Sequence, residues 1–264
     1  MSNETTNKFS VIDLPDLPPS VDNALQNLTN KPSKNMGETF GDIWFLVFGG
    51  LSHMADKKKL KYAINLEKYK AELDKSISHI PSEKVVEPSI QVTAQALENS
   101  KYCVEEPELR EMFVALISNS MNSDYSKDVH PSFAEMIKQM SPLDGQILKV
   151  FKLGPSIGFP ICNYYCRLKK NGGYFVLAEN IFLDFQGATT FAISKSLTSL
   201  VRFGLISIPY GTYINDENLY KKFYEHPLYQ QFKERYPTEN VTVEKGKVVL
   251  TPLGSSFVKS CIPD

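Results

Sequence analysis

Histidine is the first side chain to examine for catalytic chemistry in this chain. The four histidines are His53, His79, His130 and His226, and no HExxH motif joins any two of them. A general base must lie within hydrogen-bond reach of the group that it deprotonates, and in sequence only His130 lies in a tight motif, His-Pro-Ser-Phe. No cysteine, serine or carboxylate dyad accompanies it at motif spacing. We therefore expect His130 to cap a helix or donate a hydrogen bond rather than to catalyse.

Cysteine is the second candidate, with Cys103, Cys162, Cys166 and Cys261. A zinc site takes about four ligands, usually in two close pairs, and the only close pair here is Cys162 and Cys166. We interpret all four as reduced structural thiols. The chain also contains no GxxxxGK(S/T) phosphate loop, no GxGxxG motif and no GxSxG elbow. The prediction is therefore a non-enzymatic protein without catalytic residues, metal site or cofactor.

Composition places the chain among ordinary globular proteins, with 42% hydrophobic and 22% charged residues in 264. The first residues, MSNETTNKFSVIDLPDLPPS, contain no apolar signal region. Together with the reduced cysteines, this predicts a cytoplasmic location. Residues 141–264 hold 14 Lys/Arg against 10 Asp/Glu, whereas the remaining residues hold 15 against 20. This split favours two units with different electrostatic surfaces.

The predicted fold class is mainly α, with an N-terminal helical bundle followed by a winged-helix-like α+β module. Residues 1–36 contain four prolines and many polar side chains, which indicates a mobile tail. We place the helical domain at residues 37–140 and the winged-helix-like module at residues 141–264. A helical insertion is expected at about residues 213–237.

The segment 37–56 is unusually apolar, and the run 43–48 has no polar break. It is far shorter than the roughly 20 residues that cross a bilayer. One interpretation is a central helix buried on every side, with Trp44 packed between the helices 62–77 and 109–121. The other is a membrane-surface or oligomerisation helix, which the lysines at 57–59 and 61 could bring to anionic head groups. The residues assigned to such a surface are Phe40, Trp44, Val47, Phe48 and Leu51.

Apolar side chains at spacings of three and four predict helices at about residues 58–78, 88–99 and 107–121. Pro131 is expected to start a further helix. Ser141, with Pro142 at the first helical position and Asp144 three residues after the cap, predicts the next one. The two helices should form a tight corner that buries a set of apolar side chains together: Phe133, Ile137, Leu143 and Ile147.

The C-terminal region predicts a hairpin around Asn171-Gly172-Gly173, then a helix capped by Thr189 or Thr190 and ended by Gly204. A short strand at 205–208 and a second hairpin, with its turn at residues 244–247, should follow. Thr251 and Pro252 start the last helix. This order of elements is that of a winged helix, whose recognition helix can enter the major groove of DNA. The cations available for that role are Lys195 and Arg202 on the helix and Lys245 and Lys247 on the wing. DNA-binding modules usually show a denser basic face.

The segment VHPSFAEMIKQMSPLDGQIL resembles a hallmark of the Abi-alpha family of bacterial abortive-infection proteins. The segments PELREMFVALISNSMNSD, LVRFGLI and VLTPLGSSFVKSC support the resemblance, which covers most of residues 37–261. It implies a role in defence against phage, by limiting phage growth at the expense of the infected cell. The resemblance implies no catalytic residues in this chain. Its motif residues here are His130, Pro131, Phe133, Ser141 and Pro142.

Three functions follow as hypotheses. The first is a phage-defence protein that acts by binding a protein partner or a phage component. The second is a winged-helix DNA-binding regulator, and the third is a membrane-perturbing effector that uses residues 40–54. Homo-oligomers fit the apolar segment as well.

Overall fold

The structure is a computed structural model that describes residue 41 and residues 43–48, 56–170 and 172–263, with the backbone alone for residues 56–60. From Ile43 onward the described residues belong to one compact unit. The predicted tail at 1–36 lies outside the described residues, as do Phe40, Leu51 and the turn residue Asn171.

Three helices form the first layer: α1 (Asp56–Ser78), α2 (Ile90–Ser100) and α3 (Pro107–Ser120). Helix α3 is the centre of this layer, because both α1 and α2 pack against it. Its completely buried side chains are Met112, Phe113, Leu116 and Ile117. Pro107 occupies the first turn of α3, as predicted. Val114 and Ala115, which lie outside the stripe formed by these four side chains, are buried as well, so α3 is a core element rather than an amphipathic surface helix.

A tight corner follows between α4 (Phe133–Gln139) and α5 (Pro142–Leu153). The predicted cap at Ser141 is confirmed, with Pro142 in the first turn of α5. The first helical residue of α4 is Phe133, two residues later than the start predicted at Pro131. Of the four side chains expected to be buried together, Leu143 is only partly buried, because it lies in the first turn of α5 at the rim of the corner.

The second layer is a four-stranded antiparallel sheet with the order β2-β1-β4-β3. Its strands are β1 (Phe159–Arg167), β2 (Tyr174–Ile181), β3 (Ile206–Ser207) and β4 (Asn240–Leu250). The predicted hairpin between β1 and β2 is confirmed. With α6 (Thr190–Arg202), α7 (Asn218–Glu225), α8 (Pro227–Arg235) and α9 (Pro252–Cys261), the chain is an α+β protein.

Strand β1 lies at the centre of the sheet and is covered on both faces. On one face, the Tyr164 hydroxyl donates to the Phe223 carbonyl of α7 at 2.7 Å. On the other face, the Asn163 side chain accepts from the Asn180 N–H at 2.9 Å. Asn180 has a φ of 54°, in the left-handed region, and its Nδ2 donates to Thr198 of α6 at 3.4 Å. Helices α6 and α7 therefore lie on opposite faces of the sheet.

The second hairpin predicted at residues 241–250 is wrong, because β4 runs without a turn from Asn240 to Leu250. It pairs with β1 through a continuous register that includes Asn163 opposite Glu244 and Ile161 opposite Gly246. A Cβ atom at Gly246 would lie 3.0 Å from the Tyr210 ring. This glycine therefore permits a close side-chain approach to the sheet rather than a turn.

The last helix, α9, returns to the first layer and packs on α3 and α5. Thr251 caps it through the Gly254 N–H at 2.9 Å, as predicted. No helix in the described part of the chain combines the length and the apolar character that a membrane crossing requires.

Candidate functional site

The His-Pro-Ser-Phe motif builds a turn and an anchor. His130 Nδ1 lies 2.7 Å from the Ser132 hydroxyl and accepts the Ser132 N–H at 3.2 Å. Phe133, the residue after this turn, is completely buried. Its ring meets that of Phe257 edge-on, with 4.9 Å between the centroids. The motif thereby fixes the start of α4 against α9.

The cap of α5 connects this helix to α6 through hydrogen bonds of Asp144. Asp144 and Ser141 form a capping box, in which the Ser141 N–H donates to Asp144 Oδ2 at 2.7 Å. The other oxygen of Asp144 accepts the Ser196 hydroxyl of α6. Both side chains are nearly completely buried. The capping function of Asp144 follows from spacing, but its bond to a serine 52 residues away has no sequence signature.

Beside the His-Pro-Ser-Phe turn lies a groove of about 790 Å³. We call it the α2–α4 groove, since its walls come from the 43–48 helical segment, from α2 and from the start of α4. The residues that line it are Ile43, Leu46, Val47, Gln91, Ala94, Gln95, Glu98, Asn99, Pro131, Ser132 and Glu135. On α2 the lining positions 91, 94, 95 and 98 share one face of the helix, which is exposed at 91, 95 and 98 and partly buried at 94.

The 43–48 segment forms the apolar wall of the groove and is anchored on one side only. Phe48 is buried, and Trp44 lies 4.5 Å from the Phe48 ring and 5.7 Å from the Tyr69 ring of α1. In contrast, Phe45 is exposed and Leu46 is 82% exposed. The prediction that this run is buried on every side is wrong, and Trp44 itself is only half-buried. A short helix at the edge of a layer can bury only the face that contacts α1.

The opposite wall of the groove is polar and carries two carboxylates. Glu98 pairs with Lys101 at 2.6 Å. Glu135 accepts from Gln139 at 3.0 Å and from Asn99 at 3.2 Å, and these hydrogen bonds, that from Gln139 first, lower the pKa of Glu135. Glu135 is therefore ionised at neutral pH. The arrangement offers an apolar surface facing a charged one.

The four cations predicted to contact DNA do not converge on one surface. Lys195 and Arg202 are exposed on α6. Lys245 stands opposite Cys162 in the register, on the face that α7 covers, and its ammonium pairs with Glu217. Lys247 follows on the same face by the alternation of the strand. The fold thus separates the two pairs by the thickness of the sheet.

A second cavity, of about 540 Å³, lies between α1, α3 and the end of α9. Its charged groups already hold partners: Glu72 accepts two hydrogen bonds from Arg110, each at 2.9 Å, and Glu111 pairs with Lys149 at 3.0 Å. This bonding stabilises the packing of α1 and α5 on α3.

None of the four cysteines is among the residues that line the two cavities. The four cysteines are free and buried, and burial raises the pKa of the Cys103 thiol to about 11. Over the described residues there is no group of three or more His, Cys, Asp or Glu side chains that could hold a metal ion.

Sequence reasoning missed the polar wall of the groove. Gln91, Gln95 and Glu98 look like an ordinary solvated helix face, and only the position of the 43–48 segment turns that face into a wall. Of the predicted site residues, Val47 and Pro131 line the groove. Trp44 does not line it but packs against Tyr69 of α1.

Comparison with known proteins identifies one family. The family model described as abortive infection alpha matches residues 61–261. No curated protein matches the chain, and no protein of solved structure does.

Proposed function

This chain belongs to the abortive infection alpha family, and on that premise we propose that it limits phage growth by binding a protein partner rather than by catalysis. The docking site we propose is the α2–α4 groove. The partner segment is an amphipathic helix with an apolar stripe flanked by Lys or Arg.

The shape and polarity of the groove support this proposal most directly. Its volume is about 790 Å³, with an apolar wall from the 43–48 segment and a polar wall that carries Glu98 and Glu135. An amphipathic helix binds a groove through anchors spaced three and four residues apart on its apolar face. Leu46 and Val47 would contact those anchors, while Glu98 and Glu135 would face the polar flank of the same helix.

The charge of the region around the groove indicates which charge the polar flank of the partner helix should carry. Residues 61–140, which include the described part of α1 and all of α2, α3 and α4, hold 13 Asp/Glu against 9 Lys/Arg. Lys101 and Lys138 pair with the two groove carboxylates, but exposed pairs of this kind contribute only about 0–1 kcal/mol. A cation of the partner can therefore replace either lysine at little cost.

The experiment uses two matched leucines, Leu46 in the groove and Leu153 at the end of α5. They are 82% and 88% exposed, so a charge at either one should be tolerated by the fold. Burying Leu46 against a partner is worth about 1.5–3 kcal/mol, and Leu46→Asp should therefore weaken the complex by roughly tenfold or more. Phage plating on cells that express wild type, Leu46→Asp or Leu153→Asp at equal levels is the readout.

We expect wild type and Leu153→Asp to reduce phage plating and Leu46→Asp to lose that protection. Full protection by Leu46→Asp would contradict the groove as the docking site. Absence of protection by the wild type would contradict the defence role itself against the phages tested.

Two further assays separate this proposal from its alternatives. Flotation with anionic liposomes that Leu46→Asp abolishes would assign the exposed Phe45 and Leu46 to a membrane surface instead. Salt-dependent retention on DNA that Lys195→Ala and Arg202→Ala weaken would favour a winged-helix regulator.

A further inference from the structure

Strand β2 is an edge of the sheet, and within the described residues it pairs with β1 alone. An open edge presents backbone N–H and C=O groups to any other strand. Proteins usually protect such edges with lysine, proline or a short strand. In β2 the stretch Tyr174–Ala178 contains no charged residue, no proline and no glycine.

The phase of the β1–β2 ladder determines which backbone groups point outward. The Leu168 N–H donates to the Gly173 carbonyl at 2.8 Å, which makes these two residues a hydrogen-bonded pair. Hydrogen-bonded and non-hydrogen-bonded pairs alternate along an antiparallel ladder. Phe175, opposite Cys166, is therefore bonded to β1. Tyr174 and Val176 direct their N–H and C=O groups away from β1, toward the open edge.

The side chains at this edge are apolar on both faces of the sheet. Tyr174 and Val176 are exposed on one face, and Phe175 is exposed on the other. Only part of this apolar surface contacts other residues of the same chain. The Phe175 ring contacts Tyr236, and the Tyr174 ring contacts Tyr165. A strand that covered the edge would bury apolar surface above and below the new hydrogen bonds.

Charge along β2 is self-complementary in an antiparallel arrangement. Lys169 and Lys170 are exposed at the turn before the strand, and Glu179 is exposed near its far end. Two β2 strands side by side in opposite directions bring the lysine end of each copy toward the glutamate end of the other. A parallel arrangement would place like charges together, which is destabilising.

We propose that the edge of β2 is an interface between two copies of this chain, related by a twofold axis near Phe175. Tyr174 of one copy pairs with Val176 of the other, and four backbone hydrogen bonds form across the axis. The interface is isologous, because the same surface contributes from both copies.

The register limits the strength of this interface. Leu177 has no partner in β1, since Tyr165 pairs with Val176 and Tyr164 with Ala178. Such an irregularity bends the strand, so the straight edge ends after Val176. A contact this short buries less than the roughly 1,200 Å² of a stable interface. The dimer should therefore be in concentration-dependent exchange with the monomer.

The first test compares Val176→Lys with Val201→Lys in the full chain. Val201 on α6 is a matched control, since both valines are 42% exposed. Sedimentation over a concentration series should show a monomer–dimer equilibrium for the wild type. Val176→Lys should weaken it at least about tenfold, and Val201→Lys should leave it unchanged. A wild type that stays monomeric throughout, or a dimer that Val176→Lys does not weaken, would overturn the proposal.

Amide hydrogen exchange tests the pairing without any variant. As the concentration rises, exchange at Tyr174 and Val176 should slow, whereas Phe175 should be protected at every concentration. A charge swap tests the orientation: Glu179→Lys should weaken the dimer, and adding Lys170→Glu should restore it. Uniform exchange across residues 174–176, or no rescue by the double variant, would refute the antiparallel pairing. These results do not depend on the α2–α4 groove, so either proposal can fail alone.

Discussion

Removing the carboxylate of Asp144 should destabilise the whole unit, because this side chain supports both layers. Asp144→Ala removes one half of the capping box, worth about 1 kcal/mol. It also removes a buried hydrogen bond between a carboxylate and the Ser196 hydroxyl, and bonds to charged groups contribute about 1.5–3 kcal/mol. The expected loss in the free energy of unfolding is therefore about 3 kcal/mol.

Thermal unfolding is a suitable assay for the size of this effect. For a unit of this length, each kcal/mol corresponds to roughly 2–4 °C in Tm, so Asp144→Ala should lower the Tm by roughly 6–12 °C. The control is Ser141→Ala, which removes only the weaker arm of the capping box, at 3.3 Å. It should cost about 1 kcal/mol.

A double-mutant cycle isolates the link between α5 and α6. Asp144→Ala and Ser196→Ala each remove one side of the same buried bond, so their combined effect should be smaller than the sum by about 1–2 kcal/mol. Additive effects, within roughly 0.5 kcal/mol, would refute the idea that this hydrogen bond joins the two layers.

Three further predictions concern the core, the cap of α8 and the thiols. Phe133→Ala, at a completely buried position, should cost about 3–5 kcal/mol, whereas Phe191→Ala on the exposed face of α6 should change urea-induced unfolding by less than about 0.5 kcal/mol. His226 caps α8 by accepting the Leu228 N–H at 3.3 Å, and burial lowers the pKa of its imidazole. The contribution of His226 to stability is therefore present above the unfolded pKa of about 6.5. It is lost as the pH falls through the lower pKa of the folded state. His226→Asn keeps a capping side chain, so its stability should vary less between pH 7 and pH 5, and an unchanged slope would contradict this role. All four thiols are buried, so the native protein should resist a thiol reagent at pH 8 and react fully in urea; rapid labelling of the native protein would contradict the burial.

Local capping chemistry made several elements of this fold predictable. Ser141, Thr189 and Thr251 each accept a backbone N–H at the start of a helix, as their spacing predicts. Gly204 has a φ of 70° after α6, which fits its predicted role in ending that helix. These features depend on residues within one turn of each other, so the sequence alone contains the relevant information.

Long-range packing explains why the second hairpin was predicted wrongly. Glu-Lys-Gly-Lys at 244–247 has the composition of a turn, yet three of these four residues have a partner that comes from elsewhere in the chain. Glu244 accepts from Asn163 at 3.0 Å, Lys245 pairs with Glu217, and Gly246 admits the Tyr210 ring. Those partners lie at least 28 residues away. These residues are therefore matched to partners that are distant in sequence, which no local pattern reveals.

The apolar run at 43–48 is a second case in which local composition does not determine the environment of the side chains. Its composition predicts complete burial, but only Phe48 is buried; Phe48 and the half-buried Trp44 pack on Tyr69. Phe45 and Leu46 are exposed, and Leu46 lines the α2–α4 groove rather than packing in the core. Leaving a large apolar side chain in water forgoes roughly 1.5–3 kcal/mol. A bound partner would recover that free energy by covering Leu46. Leu46 is the most exposed residue of a run that was predicted to be buried, and the proposed function depends on it most.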